Sequence, residues 1–282
     1  VSRPRALFPA FPEEGKALCL RISLVHYLNA APLGWFFLHG PTRHQYQISP
    51  ASPAECAEQL ARGDVDVGLI PAVEYQRIPN LRVIPDVAIA ASNEVRSVLL
   101  IRPKGAARIR SVAVDTSSRT SVALVKLLLT SRMGLHPEFV PHAPRVTEML
   151  RKCDAALIIG DAALRCSPDE YQIMDLAAAW RDWQALPFVF AFWACGPRVS
   201  APDNLVATFM EAKEWGLARI EEIAATYSRT LDLPAAFLEG YLRCNLDHHM
   251  GARHLEGLER FYRLAFEAGL IENHLPVRFM AR

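Results

Sequence analysis

The chain has 282 residues, 51% of them hydrophobic and 22% charged, enough apolar content for one large domain or two lobes of ordinary size. Its formal net charge of +1 excludes the concentrated basic face of a nucleic-acid surface, and no run of about 18 apolar residues reads as a membrane span. The six cysteines, Cys19, Cys56, Cys153, Cys166, Cys195 and Cys244, show no CxxC spacing and mostly apolar surroundings, so they read as free thiols rather than a metal site or disulfide framework.

Residues 1–18 read as a poorly ordered leader: Pro9, Pro12, Glu13 and Glu14 interrupt any signal-peptide stretch, which implies a cytoplasmic protein. Strands and helices then alternate. LRISLVHY (20–27) is a strand, and PLGWFFLHG (32–40) a short helix opened by Pro and closed by Gly. YQIS (46–49) is a strand. SPAECAEQLARG (52–63) is a helix with Ser52 as N-cap, Pro53 first, Glu55 completing a capping box and Gly63 as terminator. VDVGLIP (65–71), LRVIPDVAIA (81–90) and RSVLLIRP (96–103) are extended.

The pattern restarts with strand IRSVAVD (109–115) and a turn feeding a long apolar helix, 116–134. PEFVP (137–141), a helix near 144–152 and DAALIIG (154–160) continue it. LPFVFAFWAC (186–195), almost wholly apolar, reads as a central strand. After it come only helices, over 203–226, 234–248 and 251–269.

Such alternation predicts an α/β protein with mostly parallel sheets, and the restart near residue 103 predicts two of them. The helical tail has too little strand to form a lobe and should pack back on the first. Lobe one is expected over 19–95 and 196–282, lobe two over 96–195, with crossings near 91–103 and 188–198. That is the layout of a hinged, ligand-binding protein whose ligand sits in the cleft, beyond the strand C-termini.

Polar clusters fall at those strand ends. His26, Tyr27 and Asn29 follow the first strand, just ahead of Pro32. Glu74 follows the third, and Arg96 with Ser97 enters the crossover. Glu74 reads either as a general base or as an ion-pair partner for Arg77 or Arg96. Thr116, Ser117, Ser118, Arg119, Thr120 and Ser121 gather at a helix start, where free N–H groups and the dipole favour an anion. One N-cap accounts for one hydroxyl only, and with no Gly-rich loop a carboxylate fits better than a phosphate. Gly160 and Asp161 form a strand-to-helix turn in which Asp161 either caps the helix or presents backbone amides to the ligand. His248 and His249, adjacent and so pointing apart on a helix, do not read as metal ligands.

With those residues assembled, the sequence resembles the chorismate dehydratases of the futalosine route to menaquinone. VHYLNAAPL, GDVDVGLIPAVEY, VRSVLLI and VAVDTSSRTSVALVKLLL carry the likeness in order, and ALIIGDAAL and WQALPFVFAFWA extend it, covering about residues 20–275. The resemblance implies a two-lobed, periplasmic-binding-protein-like (type II) fold with two sheets, a two-strand hinge and an inter-lobe cleft. It implies a hydro-lyase that takes water from chorismate to give 3-[(1-carboxyvinyl)oxy]benzoate, with no metal and no organic cofactor. The family's first motif commonly reads Ser-Tyr-Leu-Asn, and His26 stands here in place of that Ser, which makes Asn29 the stronger candidate.

Chorismate carries two carboxylates. The hydroxyl-rich helix start is expected to hold one, and Asn29, Arg96 and Ser97 the other. On this reading Asn29 holds the enolpyruvyl carboxylate beside the ring C3 proton, so that the substrate is its own base; Glu74 or His26 as general base is the rival. The alternative from another class is a cytoplasmic protein that binds or senses a small acid without chemistry. Oligomeric state is left open by the sequence.

Overall fold

The computed structural model describes residues 19–105, 108–197 and 204–281; the expected leader lies outside the described residues. Strands β1 (Leu20–Val25), β2 (Tyr46–Ala51), β3 (Val67–Pro71) and β4 (Arg82–Ala91) belong to a first five-stranded sheet, completed by β10 (Phe188–Cys195) in the order β2-β1-β3-β10-β4. Strands β5 (Val98–Pro103), β6 (Ser111–Val114), β7 (Glu138–Pro141), β8 (Ala155–Ile159) and β9 (Tyr171–Asp175) form the second, ordered β7-β6-β8-β5-β9.

Both sheets are mixed rather than mostly parallel. β1 lies parallel to β2 and β3, with Ile22 opposite Ile48 and Val67, but β10 runs antiparallel to β3 and β4. In the second sheet β5 runs antiparallel to β8 and β9. The reason is the path of the chain. β5 and β10 each enter their sheet from the other lobe, at the edge where the parallel strands end, and so run away from it. By strand pairing, the apolar stretch expected at the end of lobe two is therefore a strand of the first sheet, and the return crossing precedes Phe188.

Local signals place several helices. Helix α2 (Pro53–Arg62) carries the capping box between Ser52 and Glu55, and its terminator Gly63 adopts φ 80°, a conformation that costs glycine little. Helix α1 (Ala31–His39) has Pro in its first turn. The helix expected over 116–134 is shorter: α3 covers Arg119–Leu127 and continues as a π-turn over Leu128–Arg132, a wider coil that often marks functional segments. After α4 (Val146–Lys152), strand β9 and helix α5 (Leu176–Gln184) are elements with no counterpart in the sequence reading.

The tail forms α6 (Leu205–Leu217), α7 (Ile220–Leu231), α8 (Ala235–Cys244) and α9 (Ala252–Glu267), so the helix expected over 203–226 is two. Phe209 of α6 packs between Phe37 and Trp193, and Phe261 of α9 against Phe188 and Trp180. Each such ring contributes about 1.5–3 kcal/mol through burial. Helices α1 and α6 approach so closely that a Cβ on Gly216 would lie 1.8 Å from the Pro32 carbonyl oxygen. All six cysteines are free thiols, and among the described residues no helix is long and apolar enough to cross a membrane.

Candidate functional site

Beyond β1 the chain makes a tight turn, Leu28–Ala30, directly into α1. Two long-range contacts grip it. The Leu28 N–H donates to Asp161 Oδ1 at 2.9 Å, and His248 Nε2–H donates to the Asn29 carbonyl at 3.1 Å. Burial pushes His248 down to about 4, so the ring is neutral at physiological pH and carries its proton on the nitrogen that faces the carbonyl. The Asn29 side chain is left free, with its buried Oδ1 unpartnered. Such an orphaned atom in a strand-end turn is an acceptor that no protein group uses.

His26 is exposed, and its Nδ1 lies 2.9 Å from the Ala51 carbonyl. A carbonyl can only accept, so Nδ1 carries a proton and donates it there. Tyr27 turns inward, its phenol raised by burial and facing Ser117. Its ring rests on Gly160, where a Cβ would come within 2.9 Å of it. Gly160 also has φ 62°, so a glycine is needed there for backbone and contact alike.

The stretch 115–121 is only in part the free donor cluster that the sequence suggests. Thr120 Oγ1 accepts from the Val73 N–H at 3.1 Å, and the Ser118 and Ser121 hydroxyls pair with each other at 2.8 Å. Arg119 is held by Glu74 at 2.9 Å and by Glu58 at 2.5 Å. Arg119 and Thr120 thus knit the segment to the first lobe, and the Ser117 carbonyl adds a bond from the Ala54 N–H at 2.9 Å. Thr116, exposed, and Ser117 remain. Beside them Asp115, 3% exposed, accepts the Ser117 N–H with Oδ1 and leaves Oδ2 unpartnered.

Glu74 is 3% exposed and ion-paired with Arg119 and, at 3.4 Å, with Arg77. Of its two sequence readings the structure has the ion pair, with Arg119 in place of Arg96. Ser97 is fully buried: its Oγ accepts from Tyr241 O–H at 2.8 Å and its carbonyl from the Gly160 N–H at 2.8 Å. Arg96 points elsewhere, into a groove of about 890 Å³ lined also by Glu94, Arg132 and Asp182, and apart from Asn29. Asp161 does not cap the short helix after β8, whose N-cap is Ile159 with no side-chain bond. Burial pushes its carboxyl up to about 6, against the opposing pull of the Leu28 N–H and of His26 and Arg165.

The structure thus brings together Tyr27, Asn29, Ser117, Gly160 and Asp161, keeps Ser97 just behind them, and separates off Arg96. Three participants escaped the sequence reading: His248, Tyr241 and the carboxylate of Asp115. Only Asp115 had a usable signal, an acidic residue closing an apolar strand. The other two meet their partners across 219 and 144 residues of chain. The assembled groups can hold a polar ligand between the lobes, with an amide from one and a hydroxyl from the other, in surroundings dry enough to strengthen each contact.

Comparison with known proteins gives the chain a family and a fold. The family model described as menaquinone biosynthesis matches residues 20–267. A chorismate dehydratase of Thermus thermophilus is 32% identical over 259 residues, spanning 85% of this chain and 93% of its own. A chorismate dehydratase of Campylobacter jejuni is 27% identical over 85% of this chain and 94% of its own. Among solved structures, protein AF1704 of Archaeoglobus fulgidus superposes with a TM-score of 0.74 at 16% identity, covering 89% of this chain and 98% of its own. The periplasmic aliphatic sulphonate binding protein SsuA of Escherichia coli gives 0.62 at 17% identity, covering 92% and 95%. At such identities the structural likeness speaks for the two-lobed binding-protein fold alone.

Proposed function

The chain belongs to the menaquinone-biosynthesis family, and on that footing we propose that it is a chorismate dehydratase, a hydro-lyase acting in the cleft between its two lobes. The observation that supports this reading at the site is the free Asn29 side chain, its Oδ1 buried and unpartnered while the backbone on either side of it is held.

The reaction removes the C4 hydroxyl and the C3 proton of chorismate, leaving an aromatic ring and one water. Aromatisation makes the step downhill, so the protein has to place a dianion and bring a base to C3. Asn29 donates its Nδ2–H to the enolpyruvyl carboxylate and holds it against the C3 proton, which passes to that carboxylate as the C4–O bond breaks and from it to the departing hydroxide, giving the one water. Glu74 is tied to Arg119 and Arg77, which favours the substrate's own base over a protein one. Positioning of this kind is worth roughly 7–11 kcal/mol in favourable cases. Tyr27 and Ser117 face each other across the lobes and serve the second carboxylate or the departing hydroxyl. Closure keeps water and competing reactions of chorismate out.

The binding-protein fold of the structural neighbours favours one rival, a protein that holds a small acid without changing it. The two separate in one experiment. Purified protein is mixed with chorismate and a chelator, and products are followed by chromatography and mass. A benzoate-absorbing species one water lighter is expected; chorismate bound tightly and returned intact would replace the dehydratase with the binding protein.

A further inference from the structure

Asp161 is the residue whose position the reaction leaves unexplained. A carboxylate aimed at a substrate that already carries two would repel it, and Asp161 does not cap its own helix. Its Oδ1 instead crosses to the first lobe, 133 residues away in sequence, and accepts the Leu28 N–H at 2.9 Å. Leu28 immediately precedes Asn29.

Both ends of this contact are rigidly mounted. On the second lobe, Gly160 N–H is bonded to the Ser97 carbonyl, and Ser97 Oγ to Tyr241. On the first, His248 holds the Asn29 carbonyl from the tail. Gly160 also gives the Tyr27 ring its seat, since a Cβ there would lie 2.9 Å from it. Two successive residues of the second lobe therefore receive two successive residues of the first. The His248 bond lies within the first lobe, whose Ala88 N–H also holds the His248 carbonyl, whereas the Asp161 bond joins one lobe to the other. His26, Arg165, Tyr27, Tyr227 and Tyr241 are the titratable neighbours of the carboxylate.

We propose that Asp161 is a positioning residue, a latch that closes the lobes onto the Leu28 N–H and so brings Asn29 to its working place only in the closed protein. The role rests on the dehydratase reading for its consequence, but the latch itself is a physical contact that can be tested apart from turnover.

The test compares wild type with Asp161→Asn, which keeps an oxygen acceptor without the charge, and Asp161→Leu, which has none. Hydrogen exchange of the Leu28 amide and turnover of chorismate are read on each, with thermal melting to establish that the variants fold. In Asp161→Leu the Leu28 amide is expected to exchange about 10- to 100-fold faster and kcat to fall by a similar factor, with Asp161→Asn recovering most of both. Unchanged Leu28 protection in Asp161→Leu overturns the latch. Asp161→Asn as inactive as Asp161→Leu with its Leu28 amide still protected also overturns it, because the carboxylate would then act on substrate directly. Should wild type not convert chorismate, the dehydratase reading fails and the latch is decided by amide exchange alone.

Discussion

Asn29 and Glu74 are both polar residues at strand ends, and their surroundings set them apart. The Asn29 side chain has no protein partner at Oδ1, so Asn29→Ala removes a ligand contact and little else: kcat is expected to fall at least about 100-fold, as for a lost preorganised donor, with the melting temperature unchanged. Glu74→Gln does the opposite. It leaves Arg119, which keeps Glu58, and Arg77 facing a neutral amide at a site 3% exposed, costing about 1–2 kcal/mol of stability in urea unfolding once the solvent exposure of both arginines is counted while steady-state turnover stays near wild type. Full activity in Asn29→Ala would defeat the substrate-assisted reading. Asp161 carries a pH signature. Its folded carboxyl is pushed up to about 6 by burial, above the unfolded value of about 3.9, so the folded chain holds the proton more tightly. The stability it contributes is full below about pH 4 and is lost as pH rises through 6, roughly 3 kcal/mol in all. Urea unfolding across that window should show the decline, and Asp161→Asn should flatten it.

Among the elements, one carboxylate gathers four N–H groups around the first crossing between sheets. Asp175 caps α5 through the Ala177 and Ala178 N–H groups and also accepts from Val95 and Arg96 at 3.2 and 2.7 Å. Arg96 has φ 57° there, a strained value for a side chain with a Cβ. Asp175→Ala should therefore cost about 2–3 kcal/mol in chemical unfolding, a lost cap plus lost crossover bonds; a loss under about 1 kcal/mol would show the crossing is held by something else. The sequence announced elements whose signals are local. Ser52, Glu55 and Gly63 bound α2 because a capping box and a left-handed terminator involve neighbours only. Strand direction was illegible, since periodicity is the same read either way and β10 could not be told from a parallel strand. β9 and α5 went unseen because β9 is a short, half-buried edge strand and the cap at its end, Asp175, is shared with the crossing. At the site, the clustering of strand ends was readable. Which hydroxyls stay free was not, because Thr120 is taken by Val73, a residue 47 positions away.

For the molecule as a whole, the proposed function calls for two lobes that meet and part, and Gly160 is where a small change is predicted to keep them from meeting. Gly160→Ala meets two obstacles together. The backbone stands at φ 62°, which disfavours a side chain by about 1 kcal/mol, and the new methyl group would lie 2.9 Å from the Tyr27 ring. Neither obstacle touches the interior of a sheet, so both sheets should retain their circular dichroism and most of their cooperativity. The strain is relieved by letting the lobes separate: Tyr27 leaves its seat, the Leu28–Asp161 contact lengthens, and Asn29 no longer meets a substrate held by the second lobe. Small-angle scattering should report a larger radius of gyration than wild type, with chorismate unable to restore it, and turnover should fall alongside. A Gly160→Ala protein with wild-type radius and wild-type kcat would mean that Tyr27 shifts within a closed cleft at no cost, and that the meeting of these two turns does not govern the chemistry.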